Sequence, residues 1–382
     1  MRADYYFMSL FLIFAYYVKR DKNMTLSVCL IVKDEQDVIA RCLNCAVKFA
    51  DEIVVVDTGS VDNTVAEAKK FTDKVYFFKW CDDFSAARNY AFEKAESELL
   101  MWLDADDVIT EENCLKIADI KQNFKNYDMA VLPYAAAFDG ETPTFVYNRE
   151  RIFRRSMNFR FTGAVHEAVV PRGRIMYSDA VVYHKKVKEN EPMRNLRILQ
   201  KLIASGVKLD GRQKFYYGRE LLFNGMYREA AAVLEDFLEG DGWAVNKSEA
   251  CYNLWQAYNA LGQESKATGA LLKAFTVSLP DSRLCCVLGE SFLAKNDLRA
   301  AEFWYKTALE HPDEILSGGF VNRDYCGFIP YMQLCVIYDR LGDRQKSFEY
   351  NCLAGRIKPD NKNYLSNIEY FEKLGIRGKI DD

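Results

Sequence analysis

A run of five apolar residues, Leu99–Leu103, ends abruptly on the carboxylates Asp104, Asp106 and Asp107. Continuous hydrophobicity is typical of a strand buried on both faces, so the run predicts a central strand of a covered sheet. The carboxylates then fall at the strand end, where open α/β sheets bind ligands and where a divalent cation commonly joins crowded carboxylates. The alternative is a polar turn in which Asp107 or Thr110 caps the next helix.

The segments before this run alternate between two patterns. Apolar and β-branched residues predict strands over 26–32, 52–57 and 74–78, and apolar residues at helical spacing predict helices over 37–49, from about 62, and over 84–95. Such alternation predicts βαβ units and a mainly parallel sheet with right-handed crossovers. The fold class predicted for this half is therefore α/β.

Length and composition limit the function classes. The 382 residues are enough for two or three domains, and the net charge of −4 gives no electrostatic case for binding nucleic acid. The eleven cysteines are scattered, and Cys42 and Cys45 have no second pair beside them. We therefore expect small core residues in a reducing cytosol instead of a zinc site.

The N-terminus is ambiguous. Residues 5–18 are uncharged and mostly apolar, but a membrane-spanning helix needs about 20 residues, and no small-residue cleavage site follows. A membrane anchor, an interfacial segment and a leader outside the fold all remain open. We favour the leader over 1–23, because Met24 directly precedes the first predicted strand.

Polar residues of interest also follow the second predicted strand and lie near the start of a predicted helix. Asp57 closes the second strand, and Gly59 lets the backbone turn closely around a bound group. A carboxylate at such a position commonly accepts hydrogen bonds from a ribose, although ordinary turn chemistry accounts for these residues equally well. Arg88 lies in the first turns of a helix, and its guanidinium fork suits a diphosphate; a solvated surface arginine is the alternative.

Four segments, 28–35, 54–64, 84–89 and 102–107, together resemble the family 2 glycosyltransferases of the GT-A fold, in that family's order and spacing. The resemblance implies a Rossmann-like nucleotide-sugar-binding domain and an inverting transfer. It implies that Arg88 supports the diphosphate and that Asp104 and Asp106 form a D-x-D pair meeting metal and sugar. We interpret Asp107 as a polar lead into the next helix. The implied nucleotide-sugar-binding residues are Val32, Lys33, Glu35, Asp57, Gly59, Arg88, Asp104, Ala105 and Asp106.

The segments 149–155, 161–167 and 180–184 contain two of the three histidines of the chain. They are similar to bacterial members of the family with a Gly-x-Val-His-Glu segment and a later histidine at a strand end. By that similarity Glu167 is the general base, and His166 positions or coordinates. Arg88 is the second predicted catalytic residue, because it would add fixed positive charge where the leaving phosphate becomes negative. His184 would join Asp104 and Asp106 as a metal ligand, although a strand histidine is often only structural. Mn²⁺ or Mg²⁺ suits these ligands, and Mn²⁺ tolerates nitrogen better.

After about residue 190 strands vanish and helical periodicity dominates. Turns predicted at Gly225, Gly262, Asn296 and Gly342 are 37, 34 and 46 residues apart, which indicates an insertion near 317–320. The unit pattern is similar to tetratricopeptide repeats. We therefore predict a GT-A domain over 24–190, a linker helix over 191–211 and an all-α repeat domain over 212–382. The repeats would bind peptide or protein segments, or only complete the fold and mediate self-association.

Two functions remain open at this point. The favoured one is a metal-dependent transferase that uses a nucleotide-diphosphate sugar, with a UDP-sugar as the favoured donor and a glycan, lipid, protein or peptide as acceptor. The other is a binding protein whose nucleotide-sugar domain is degenerate. We expect a cytoplasmic location, with association at the inner face of the membrane left open. A nucleotidyltransferase is disfavoured, because residues 33–35 provide no glycine-rich loop for a triphosphate.

Overall fold

A computed structural model describes residues 24–188, 191–279, 281–310 and 321–376. The predicted leader over 1–23 and the predicted insertion near 317–320 lie outside these ranges. The described chain consists of an α/β domain followed by a series of paired helices. None of the helices in these ranges is both long enough and apolar enough to cross a bilayer.

The first half of the α/β domain has the predicted alternation. Its strands are β1 (Leu26–Val32), β2 (Glu52–Asp57), β3 (Val75–Phe77) and β4 (Leu99–Leu103), and its helices are α1 (Ile39–Ala46), α2 (Thr64–Ala68) and α3 (Phe84–Lys94). The strands lie in the order β3-β2-β1-β4 and are parallel throughout. The strands predicted at these positions are confirmed.

The second half of the sheet differs from the prediction of a mainly parallel sheet. The elements of this part of the chain are β5 (Asp107–Val108), α4 (Glu111–Asn123), β6 (Met129–Asp139), β7 (Thr142–Arg154), β8 (Phe161–Thr162), β9 (Ala168–Val169), β10 (Ile175–Tyr177) and β11 (Val182–His184). Strands β8 and β9 pair only with each other, in a separate two-stranded sheet. β7 runs antiparallel to both β4 and β6, and the order continues β4-β7-β6-β11-β5. The sheet is mixed because only residues 140–141 join β6 to β7, and so short a connection permits only an antiparallel hairpin.

Both faces of β4 are covered. Leu99, Met101 and Leu103 belong to one core cluster, and Leu100 and Trp102 belong to the cluster on the opposite face. Side chains alternate across a strand, so continuous hydrophobicity was required to fill both clusters. The prediction of a strand buried on both faces is confirmed.

The C-terminal part is built from helices that pair antiparallel. They are α5 (Arg194–Ala204), α6 (Gly211–Phe223), α7 (Tyr227–Glu239), α8 (Ala244–Ala260), α9 (Glu264–Ala274), α10 (Ser282–Ala294), α11 (Leu298–Glu310), α12 (Phe328–Arg340), α13 (Arg344–Ile357) and α14 (Lys362–Lys373). The predicted turns are confirmed: Gly225, Gly262, Asn296 and Gly342 all have a left-handed φ. After each of them a backbone N–H bonds the carbonyl five residues earlier, which satisfies a helix end.

Several contacts join the helical part to the α/β domain, among them an apolar cluster and a strand pairing. Ala164 and Val165 share a small apolar cluster with Ile198 and Leu199 of α5. A two-residue strand, β12 (Val321–Asn322), follows α11 and pairs antiparallel with β7. The helical part is therefore attached to the sheet both at its start and after its third helix pair.

Gly289 tests the packing within a helix pair. A Cβ built there would lie 2.8 Å from the ring of Tyr305, which is almost fully buried and rigid. Gly289→Ala should therefore lower the free energy of unfolding by about 1–3 kcal/mol, measured by urea titration. The control is Gly269→Ala, since a Cβ there meets nothing within 4 Å and removing a helical glycine should raise stability by about 0.5–1 kcal/mol. Equal effects of the two substitutions would contradict the close approach.

Candidate active site

A cavity of about 720 Å³ opens at the edge of the sheet where β1, β4 and β11 all have their carboxyl ends. Other walls come from the β6–β7 hairpin, the loop between β8 and β9, and α5. The cavity brings together most of the residues predicted for the site, namely Val32, Lys33, Glu35, Arg88, Asp104, Ala105, Asp106, Glu167 and His184. The sheet therefore collects, at one edge, side chains that lie up to about 150 residues apart in the chain.

Arg88 joins two carboxylates in the cavity wall. Its Nε donates to Glu167 Oε1 at 2.6 Å and its Nη2 donates to Asp104 Oδ1 at 2.7 Å, while the guanidinium lies 4.4 Å from the centroid of the Trp102 ring. Burial acts to raise the pKa of Asp104, but the charges of Arg88 and Arg151 lower it to about 2. Asp104 is therefore a carboxylate near neutral pH, and it is held in an ion pair.

Asp107 is fully buried and has a different role from the one expected. Its Oδ2 accepts hydrogen bonds from the backbone N–H of Asp104 at 3.0 Å and from Arg151 Nη1 at 3.1 Å, and its Oδ1 accepts one from the Tyr134 hydroxyl at 2.9 Å. The expectation of a polar lead into the next helix was wrong, because Thr110 caps α4. Asp107 instead fixes the backbone of the acidic segment from inside the core.

Asp106 lies beside His184. The His184 Nδ1 is 3.3 Å from Asp106 Oδ1 and 3.5 Å from Asp107 Oδ1, and ligand atoms of all three residues lie within 4.8 Å of one another. Burial acts to lower the pKa of His184, but the two carboxylates raise it to about 10. Positive charge is therefore favoured here, and the buried Nδ1 makes no hydrogen bond within the described ranges. This donor set fits a divalent cation.

The predicted metal ligands do not all fall in one cluster. Asp106 and His184 line the cavity together, whereas the carboxylate of Asp104 is paired with Arg88. Asp107 belongs to the cluster but does not line the cavity, and its oxygens already accept three hydrogen bonds. Asp106 and His184 are therefore the two predicted ligands that both belong to the cluster and line the cavity.

Asp57 and Gly59 lie at the end of β2, outside the cavity wall. The Asp57 carboxylate accepts hydrogen bonds from the backbone N–H groups of Gly59 and Ser60, each at 3.1 Å. Gly59 has a φ of 109°, which favours glycine. The structure thus shows turn chemistry at this segment, and contact with a nucleoside stays a prediction for it.

Two helical residues that the sequence did not identify contact a residue of the cavity wall. His166 lines the cavity, and its Nε2 is 2.7 Å from Oε1 of Glu220 in α6. Its ring also stacks on Tyr216, with centroids 4.1 Å apart and planes 10° apart. Nothing in the sequence links a loop near residue 166 to a helix that begins 45 residues later, so only the fold reveals this contact.

Comparison with known proteins places this domain in a family. Residues 27–181 match the model of glycosyl transferase family 2. The SPbeta prophage-derived glycosyltransferase SunS of Bacillus subtilis is 31% identical over 228 residues, which are 56% of this chain and 53% of SunS. A TPR repeat-containing protein of Synechococcus elongatus is 35% identical over 285 residues, which are 74% of this chain and 56% of that protein.

Residues 27–181 therefore form a glycosyl transferase family 2 domain, and tetratricopeptide-like helix pairs follow this domain. The chain spans about half the length of the curated relatives it matches. Among solved structures, S. aureus TarS is 16% identical, with a TM-score of 0.38, over 64% of this chain and 55% of that one. A likeness of that size supports no argument.

Arg88→Ala tests the ion-pair bridge. Removing the guanidinium leaves Asp104 and Glu167 without their shared partner, so the free energy of unfolding should fall by about 3 kcal/mol in a urea titration. The matched control is Arg160→Ala, since Arg160 pairs with Glu93 at 3.0 Å but the two side chains are 41% and 54% exposed. That change should cost less than about 1 kcal/mol. A similar loss in both variants would show that the bridge is not a buried pair.

Glu35 should make the metal-free protein sensitive to pH. Burial and the nearby charges of Asp106 and Asp104 raise the pKa of Glu35 from 4.5 to about 7. The folded protein therefore binds more protons than the unfolded chain between these values, and stability falls as the pH rises through them. In the presence of a chelator, Glu35→Gln should have a higher Tm than the wild type at pH 8. This difference in Tm should shrink toward pH 4.5. A difference that stays constant over this range would contradict the prediction.

Proposed function

We propose that the protein is a metal-dependent, inverting glycosyltransferase that moves a sugar from a nucleotide-diphosphate sugar to a glycan, lipid, protein or peptide acceptor. A UDP-sugar is the favoured donor. The observation that supports this proposal is the cavity at the strand ends of a family 2 domain, where Arg88 joins Asp104 to Glu167 and Asp106 lies beside His184. Recruitment of the acceptor by the repeats is part of the same proposal.

Asp106 and His184 would hold the cation, with Asp104 as the third proposed ligand. When bound, Mn²⁺ or Mg²⁺ acts as a Lewis acid that neutralises the negative charge of the leaving diphosphate. The fit rests on the carboxylate and imidazole donors themselves, whose ligand atoms lie within 4.8 Å of one another.

Arg88 would stabilise the leaving group directly. Its guanidinium is only 6% exposed and is fixed by two carboxylates, so it needs no reorganisation when negative charge develops nearby. Its Nη1 is buried and has no hydrogen-bond partner in the described part of the chain. A phosphate oxygen would satisfy this donor, which otherwise costs free energy by remaining unpaired.

Glu167 would act as the base. In the proposed step an acceptor hydroxyl or thiol gives its proton to Glu167 while its oxygen or sulfur forms a bond to the anomeric carbon. The bond from that carbon to the phosphate oxygen breaks, and the nucleoside diphosphate leaves with the electron pair. A single displacement of this kind inverts the anomeric centre. The hydrogen bond from Arg88 holds the Glu167 carboxylate in one orientation for this role.

Nucleotide release tests the proposal. The protein is incubated with Mn²⁺ and, separately, UDP-glucose, UDP-galactose, UDP-N-acetylglucosamine and GDP-mannose, with and without a chelator. We expect chelator-sensitive release of nucleotide from at least one donor. The absence of both release and any thermal shift with all four donors would overturn the proposal and favour a binding protein with a degenerate domain.

Substitutions in the acidic segment separate ligands from structural residues. Asp106→Asn and His184→Ala should each lower Mn²⁺-dependent release by at least about tenfold, because they weaken binding of the cation. The control is Asp179→Asn, since the Asp179 side chain is 82% exposed on the surface of the same domain and should have no effect on release. Equal activity of Asp106→Asn and the control would exclude Asp106 as a ligand.

A further inference from the structure

The loop between β8 and β9 is held by one face of α6. Arg212 donates from Nη2 to the backbone carbonyl of His166 at 3.2 Å, Tyr216 stacks on the His166 ring, and Glu220 Oε1 is 2.7 Å from His166 Nε2. The three helical residues are four positions apart, so they lie on the same side of the helix. One helix that follows the α/β domain thus contacts the backbone carbonyl, the ring face and a ring nitrogen of His166.

Glu220 is itself fixed. Asn195, at the start of α5, donates from Nδ2 to the same Oε1 at 3.1 Å, and the Glu220 side chain is only 12% exposed. Burial acts to raise the pKa of Glu220, but the hydrogen bond and the charge of His166 lower it. A carboxylate only accepts hydrogen bonds, so Nε2 of His166 must carry a proton. The contact therefore fixes both the orientation and the protonated nitrogen of the ring.

The loop between β8 and β9 has an unusual backbone conformation. His166 has a φ of 51° and Gly163 a φ of 96°, and a non-glycine residue persists in the left-handed region only where its surroundings hold it. The next residue is Glu167, which pairs with Arg88. His166, Glu167 and Asn195 all line the cavity, whereas Glu220 does not.

We propose that Glu220 is a positioning residue, which acts through His166 to hold the loop that presents Glu167 to the active site. The first repeat helix is then a part of the transferase site and does more than recruit an acceptor. This inference rests on the proposed glycosyl transfer, because it assigns Glu220 to the same site. It predicts that the loss of Glu220 lowers turnover without weakening the binding of the donor.

A double-mutant cycle tests the role in the full chain. Nucleotide release with Mn²⁺ is measured for Glu220→Ala, His166→Ala and the double variant, with the donor that the wild type hydrolyses fastest. Glu220→Ala should lower kcat by about tenfold or more and change the donor KM by less than about twofold. The double variant should be no slower than His166→Ala alone, because Glu220 acts through His166. Losses that multiply, or a Glu220→Ala variant with wild-type turnover, would overturn the role.

A matched control separates positioning from general damage to the helices. Glu249 is also nearly buried and pairs with Arg283 between α8 and α10, away from the cavity. Glu249→Gln should lower the Tm and leave kcat unchanged. A fall in kcat with this control as large as that with Glu220→Ala would show that any damage to the repeats slows turnover, which also overturns the role.

Histidine NMR provides a readout that is independent of activity. The chain has three histidines, so the ¹⁵N resonances of His166 are identified by their loss in His166→Ala. We expect a protonated Nε2 in the wild type and a shift of this resonance in Glu220→Gln, a variant that keeps the side-chain size if Glu220→Ala does not fold. An unchanged resonance overturns the positioning role. If the wild type releases no nucleotide from any donor, the proposed function fails, and the NMR result still decides whether Glu220 fixes His166.

Discussion

The ion pair between Asp107 and Arg151 is the interaction on which the acidic segment depends. Both side chains are fully buried, and Arg151 lies between the rings of Trp102 and Tyr134, 3.8 Å and 4.4 Å from their centroids. Two charges in a core are costly unless they are paired and hydrogen-bonded, and here Tyr134 and a backbone N–H complete the set for Asp107. The buried Asp107 consequently fixes the segment after β4 to the core, and Asp104 and Asp106 lie at the cavity.

The two half-buried carboxylates of this segment, Asp104 and Asp106, have separate electrostatic surroundings. Asp104 lies beside Arg88, and Asp106 lies beside His184, so each negative charge has a different partner although the residues are neighbours in the chain. Carboxylates two residues apart would otherwise repel each other. This separation divides the cavity into a part where the Arg88 guanidinium lies beside a carboxylate and a part where the His184 imidazole does.

The sequence predicted those features that depend on local pattern. Continuous apolar runs predicted the strands from β1 to β4, and turn residues such as Gly225 and Gly342 predicted the ends of the helices, because both signals lie within a few residues. The order of four motifs also predicted the family. The sequence did not predict the mixed second half of the sheet, because the antiparallel direction there follows from the short hairpin between β6 and β7.

The pairings within the site could not be predicted in the same way. Asp107 pairs with Arg151, 44 residues later, and His166 pairs with Glu220, 54 residues later. No periodicity in the sequence connects such positions. Asp57 shows that a carboxylate at a strand end can also have a local role, since it accepts hydrogen bonds from its own turn, and its contact with a nucleoside stays a prediction. Residue type and position indicated where a site would form, whereas burial and long-range contacts decided what each carboxylate touches.

The pairing of β12 with β7 has a consequence for how such proteins can change. β7 also contributes Arg149 to the cavity, so the strand that follows the third helix pair is hydrogen-bonded to a strand that builds the site. The helical repeats therefore cannot be exchanged independently of the α/β domain. An array transplanted from another protein, or lengthened by one pair before β12, would have to preserve this strand pairing as well as its own helical stacking, which confines variation in repeat number to the region after α12.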